Sequence, residues 1–235
     1  MKTAFMLDYE LNQPFLYIEK FQKLLTNQDL NIDMFKISDA GKDKKSPLDD
    51  KIDACDFIIL RKPLTFLSSE PTRQKIQDFV IKKHKNILVT FSFVDYESLE
   101  IINDFLKPTN IQSSGIMVYD DKENLGSRRL VRFRKSNGCL EHPDLFKGVD
   151  EVVIPQAHYV YVVKPSKVLI RGNPSTRAEG TSDSQLENIG GNEIIVSAYN
   201  DDNAKIILMD STLLNNKYID KNTKFVKNIV NWMTD

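Results

Sequence analysis

Two uninterrupted apolar runs constrain this chain more than any other feature: DFIILRK at 56–62 and NILVTFS at 86–92. A strand with one face in water alternates apolar and polar side chains. These runs do not alternate, so each requires cover on both faces, the situation of a parallel sheet sandwiched between helices. The segment between them places Ile76, Phe79 and Val80 on one helical face within 70–82, as a crossover requires. The same rhythm runs on either side. AFMLD (4–8) is a short apolar run ended by an acid, and Phe15, Ile18, Phe21, Leu24 and Leu25 mark a helix over 14–25, with Pro14 suited to its first turn. NIDMFKI (31–37) reads as a strand and 40–50 as a polar loop. Asp95 reads as the N-cap of a helix buried through Leu99, Ile102, Phe105 and Leu106.

The second half changes character. IMVYD (116–120), RRLVRFRK (128–135), EVVIP (151–155), HYVYVV (158–163) and KVLIRG (167–172) are short strands at the spacing of antiparallel or inserted β elements, with a turn, HPDLFKG, at 142–148. A stretch of low hydrophobicity, 172–192, carries Arg177, Glu179 and Asp183 and reads as a long loop, a lid or a partner-binding element. NEIIVSAYN (192–200) and AKIILMD (204–210) form a hairpin across Asp201, Asp202 and Asn203. Asn222 reads as the cap of a last helix that buries Phe225, Val226, Ile229, Val230 and Met233, with Trp232 beside them. The expected fold is α/β, a three-layer flavodoxin-like arrangement with a mostly parallel sheet and added antiparallel strands. No repeat or linker divides residues 1–235, so a single domain is expected: a β/α half over 1–107, a β-rich elaboration over 108–192, and a terminal hairpin and helix over 193–235.

Composition excludes some function classes. The chain has 235 residues, 41% hydrophobic and 28% charged, with a formal net charge of −1. No global field therefore draws it to nucleic acid or anionic lipid. Two distant cysteines, Cys55 and Cys139, cannot build a disulfide framework and fit a reducing compartment. The opening MKTAFMLDYE lacks the apolar core of a signal peptide, and no window reaches the ~18 uncharged apolar residues of a membrane span, so a cytoplasmic location is expected.

Ligands of open parallel sheets sit at the carboxyl ends of the strands. Asp8, Arg61, Lys62, Ser92, Asp95, Asp210 and Ser211 all fall at such ends and would line a cleft. Ser92, or Cys139 with His142 three residues on, could serve as a nucleophile. His158 opens an alternating strand and could face a cleft, or simply be hydrogen-bonded or solvent-facing. His84, His142 and His158 show no ligand spacing, so no metal and no other cofactor is expected. RRLVRFRK has the charge for a phosphate or nucleic-acid contact, and equally for an edge strand guarded against aggregation.

The ending KIILMDSTLLNNKYIDKNTKFVKNIVNW, the unit DFIILRKPLTFLSSEPTRQKIQDFVIKKHKNILVTFS and the turn HPDLFKGV resemble segments of the class I glutamine amidotransferase-like superfamily. The likeness is to its non-catalytic GIFT-type branch, found in gliding-motility transporter accessory subunits and an intraflagellar-transport protein. The residues that carry it at the end are Asp210, Ser211, Asn215 or Asn216, Asn222, Phe225, Asn228, Asn231 and Trp232. Enzymes of the superfamily place a cysteine in a G-x-C-x-G turn after the fourth strand. This chain has Val89-Thr90-Phe91-Ser92-Phe93 there, with Phe91 at the cysteine position and no flanking glycine, and it lacks the downstream His-x-Glu. The resemblance thus implies a non-catalytic binding or assembly domain, with a protein partner, a second copy of the chain or a small polar ligand. The alternatives are a hydrolase using Cys139 or Ser92, and weak nucleic-acid or phosphate binding through 128–135.

Overall fold

The computed structural model describes residues 2–8, 18–36, 47–61, 67–91, 96–178 and 189–235. Its centre is a seven-stranded sheet. Strands β1 (Thr3–Asp8), β2 (Asn31–Lys36), β3 (Phe57–Arg61), β4 (Asn86–Phe91) and β12 (Ile206–Asp210) run parallel in the order β2-β1-β3-β4-β12. β11 (Ile195–Asn200) and then β9 (Lys167–Arg171) extend it antiparallel beyond β12. The first four parallel strands come from the start of the chain and the fifth from its end, so residues 111–200 lie between neighbours in one sheet.

The continuous apolar runs are explained by two helical layers. On one face Ala4, Met6, Phe57, Ile59, Leu88, Ile207 and Met209 pack with Phe21, Leu24 and Leu25 of α1 (Glu19–Thr26) and Phe225, Val226, Ile229 and Val230 of α5 (Ile219–Thr234). On the other, Phe5, Leu7, Ile58, Leu60, Ile87, Val89 and Leu208 meet Ile52 of α2 (Pro47–Ala54), Ile76, Phe79 and Val80 of α3 (Glu70–Ile81), and Ile102, Phe105 and Leu106 of α4 (Tyr96–Leu106). Successive strand residues point to opposite faces, so every position of β3 is buried. This is the three-layer α/β/α architecture with added antiparallel strands.

The remaining strands form two small sheets. β5 (Ile111–Asp120) lies between β10 (Thr176–Ala178) and β8 (His158–Val162), and β6 (Leu130–Arg134) pairs with β7 (Glu151–Pro155), all antiparallel.

Several local readings change. Within the expected loop 40–50, Pro47 opens α2; its eight residues bury Ile52 and carry too few apolar positions to announce a helix. β5 is ten residues long because it continues through Gly115, at φ +72°, with an irregular register against β8. The stretch 172–192 contains β10 and runs into a 3-10 turn at Gly191–Glu193. Asn222 is not the cap of the last helix, which begins at Ile219. It sits in the first turn with its side chain buried, its Oδ1 accepting from Val153 N at 2.9 Å and its Nδ2 donating to Val153 O at 2.8 Å. The amide takes the place of a neighbouring strand on the edge of β7 that has none among the described residues. Asn228, two turns on, holds the carbonyls of Leu145 and Lys147 in the 142–148 turn.

Candidate functional site

The register places the ends of the parallel strands side by side: Asp8 beside Arg61, Arg61 beside Thr90, and Phe91 beside Asp210. Arg61 is 3% exposed, and its Nη2 donates to Asn215 Oδ1 at 3.2 Å. The Thr90 hydroxyl is turned back onto Leu60 O.

Asp210 is the centre of this edge. One carboxylate oxygen lies 3.1 Å from His158 Nδ1, and both residues are 1% exposed. The other accepts from Thr212 N at 2.8 Å and lies beside the Thr212 hydroxyl, which also reaches Pro155 O at 2.5 Å. One aspartate thereby ends β12, starts the 3-10 turn Ser211–Leu214 and joins the main sheet to β8. Phe91 completes the cluster, fully buried at the end of β4, with its ring 5.5 Å from that of His158. Ser211 is also fully buried, its hydroxyl without a hydrogen-bond partner among the described residues. Chemically, a carboxylate set on imidazole Nδ1 fixes a tautomer and an orientation, the arrangement that a general base needs and that a structural clamp also uses.

The structure thus brings Arg61, Asp210 and Ser211 to one end of the sheet together with His158, which the sequence placed in a separate β element. The backbone of Asp8 joins them in register. Lys62, Ser92 and Asp95 lie outside the described residues. Cys139 and His142 face different partners. The Cys139 thiol lies 3.2 Å from Asn173 Oδ1, and burial pushes it up to about 11. His142 Nδ1 accepts from Leu145 N, its ring packs edge-on to Tyr199 and Trp232, and burial lowers its pKa. A nucleophilic cysteine needs the opposite shift, toward the thiolate. Among the described residues no group of three or more His, Cys, Asp or Glu is placed to hold a metal, and no helix is long and apolar enough to cross a membrane.

The basic strand is also resolved into partners. Val131 and Phe133 point into the core, while Arg132 and Arg134 reach Glu123, and Arg134 also Glu151. A second polar centre escaped the sequence reading. Asp120, fully buried at the end of β5, accepts from Lys122 N, Glu123 N, Ser175 Oγ and Thr176 Oγ1 at 2.7–2.9 Å and from Asn173 Nδ2 at 3.3 Å. Burial alone would raise its pKa, but the amide of Glu123, the Ser175 hydroxyl and the other donors outweigh it and hold the carboxyl below its ordinary value. Asn173, also fully buried, donates to Arg132 O and accepts from Asn137 Nδ2. The signal in sequence was an Asx-type turn at Asp120 and a Pro-Ser-Thr turn at 174–176, neither of which says that the two meet.

No protein-family model matches the chain, and no curated protein matches it in sequence. Solved structures do. The mmIFT52 N-terminal domain superposes with a TM-score of 0.72 at 14% identity, over 99% of this chain and 97% of that one. A glutamine amidotransferase from Thermotoga maritima superposes with a TM-score of 0.51 at 8% identity, over 100% and 98%. From the parallel order of the sheet, the two helical layers and these superpositions, the fold of this chain is the class I glutamine amidotransferase-like fold, in the form seen in the mmIFT52 N-terminal domain.

Proposed function

We propose that this chain is a non-catalytic binding or assembly domain, working in a reducing, cytoplasmic setting and holding a protein partner. The observation that carries the reading is Phe91. At the end of β4, where the resemblance puts a cysteine on a glycine-flanked turn, a phenyl ring is fully buried against His158. A nucleophile there must be reachable and must sit on a turn that lets backbone approach the substrate. The closer superposition on the mmIFT52 N-terminal domain than on the glutamine amidotransferase supports the same reading. The test combines glutamine, amide and ester turnover by the purified chain with chemical cross-linking in its native cells. A stoichiometric cross-linked partner with no turnover is expected. Turnover without a partner would overturn the proposal.

One observation favours a second reading. The imidazole set on Asp210 packs against the residue that immediately precedes Ser92. A hydrolase would use Ser92 as nucleophile, His158 as base and Asp210 to orient it. That reading requires a fluorophosphonate probe to label Ser92 and the label to vanish in His158→Gln. Absence of labelling on the folded protein removes it.

A further inference from the structure

The arginines of this chain are unequally committed. Arg73 pairs with Asp104, Arg132 and Arg134 with Glu123, and Arg171 with Glu141. Arg128 and Arg177 meet no carboxylate among the described residues, and they flank the same side chain. The Arg128 guanidinium lies 3.7 Å over the ring of Tyr119. Arg177 is the cross-strand partner of Tyr119 in the β5–β10 ladder, so its side chain leaves the sheet on the same face. Arg177 turns its Nη1 onto the carbonyls of Pro174 and Thr176, and the residue is exposed. It walls an open pocket of about 430 Å³ together with Lys122, Asn137 and Ser175. Lys122 is exposed and likewise in no ion pair among the described residues. Asp121 and Glu123 also line this pocket, but Glu123 is neutralised by Arg132 and Arg134. Lys122 and Arg177 therefore share this pocket with the Asp121 carboxylate, which meets no cation among the described residues, and Arg128 adds a third positive charge over the neighbouring Tyr119 ring, on a chain whose net charge is −1.

The patch is held rigid from below. Ser175 and Thr176 on one side and the Lys122 and Glu123 amides on the other all bind the buried Asp120 carboxylate, which pins the 121–123 and 174–177 backbones to each other. Preorganised guanidinium forks beside an aromatic ring match carboxylates in plane and charge.

We propose that the Lys122–Arg128–Arg177 surface docks an acidic segment of a protein partner, its Asp or Glu side chains taken by the two guanidinium groups. The inference rests on the protein-binding reading above. Nucleic acid fits less well, because the arginines that would extend the patch along a phosphate backbone, Arg132 and Arg134, are neutralised within the fold, and Asp121 interrupts it.

The experiment uses the full chain and a fluorescein-labelled oligoglutamate peptide, read by anisotropy, with a single-stranded oligonucleotide of equal charge as competitor. The variants are Lys122→Glu with Arg128→Glu, both exposed positions, and Lys82→Glu, just past the C-terminal end of α3, as a control, each checked for unchanged thermal unfolding. Arg177→Ala is the third arm. We expect peptide binding that weakens with added salt, at least about tenfold weaker in the double variant and unchanged in the control. No peptide binding, undiminished binding in the double variant, or equal or stronger competition by the oligonucleotide would overturn the proposal. Cross-linking with the double variant separates the two levels. A partner complex that survives the double variant leaves the docking reading standing and removes this surface. No partner complex even with the unmodified chain removes the reading itself.

Discussion

Asn222→Ala should be among the most damaging single changes outside the apolar core. The side chain is 1% exposed and satisfies both backbone groups of Val153, at 2.9 and 2.8 Å, on the edge of β7 that has no strand neighbour among the described residues. Removing it leaves a buried N–H and a buried C=O without partners. Each such orphan costs about 1–3 kcal/mol, and partial hydration of the small cavity recovers some of it, so a loss of about 2–4 kcal/mol is expected. Equilibrium urea unfolding measures it. With a slope of about 3 kcal/mol/M the midpoint should fall by about 1 M at unchanged slope. Asn222→Asp adds a sign test. The introduced carboxylate can still accept from Val153 N but meets Val153 O with a lone pair, and burial raises its folded pKa above the unfolded one. It therefore destabilises at neutral pH and less so as pH falls, when the protonated acid can donate to Val153 O. A cost below about 0.5 kcal/mol for Asn222→Ala, or an Asn222→Asp penalty that grows on acidification, would refute the clamp.

Other changes follow from the same geometry. Asp120 has a depressed carboxyl pKa, so its contribution is present above the ordinary carboxylate value and is lost as pH falls through the folded value. Asp120→Asn should cost about 2–4 kcal/mol at neutral pH in urea unfolding, with the difference shrinking as pH falls below the ordinary carboxylate value. Cys139, pushed up to about 11, and Cys55, pushed up to about 12, should resist alkylation in the folded protein at pH about 8 and react at once in denaturant; fast labelling of the native chain would contradict their burial. Gly172→Ala places a Cβ 2.5 Å from Gly191 O and 3.0 Å from Thr176 Cβ, and should cost about 2–3 kcal/mol by thermal unfolding. Gly138→Ala meets nothing within 4 Å and pays only for φ +74°, about 1–2 kcal/mol.

The division of labour between sequence and tertiary structure is visible residue by residue. β3 and β4 were legible because burial on both faces leaves no alternation, and α3 and α5 because one apolar stripe repeats every three to four residues. That no cysteine and no flanking glycine stand around Phe91 was also legible, since it concerns consecutive residues. The Asp210–Ser211 corner could be read as a strand end, and the Asn-rich ending as a pattern, but their purposes could not. Asp210 meets His158 across 52 residues, Asn222 meets Val153 across 69 and Arg61 meets Asn215 across 154. Asp120 meets Asn173, Ser175 and Thr176 across 53 to 56. Periodicity encodes which face of an element is apolar, because that is a local property. A buried polar side chain is fixed by the single distant group it must satisfy, and that pairing exists only once the sheets and helices have packed.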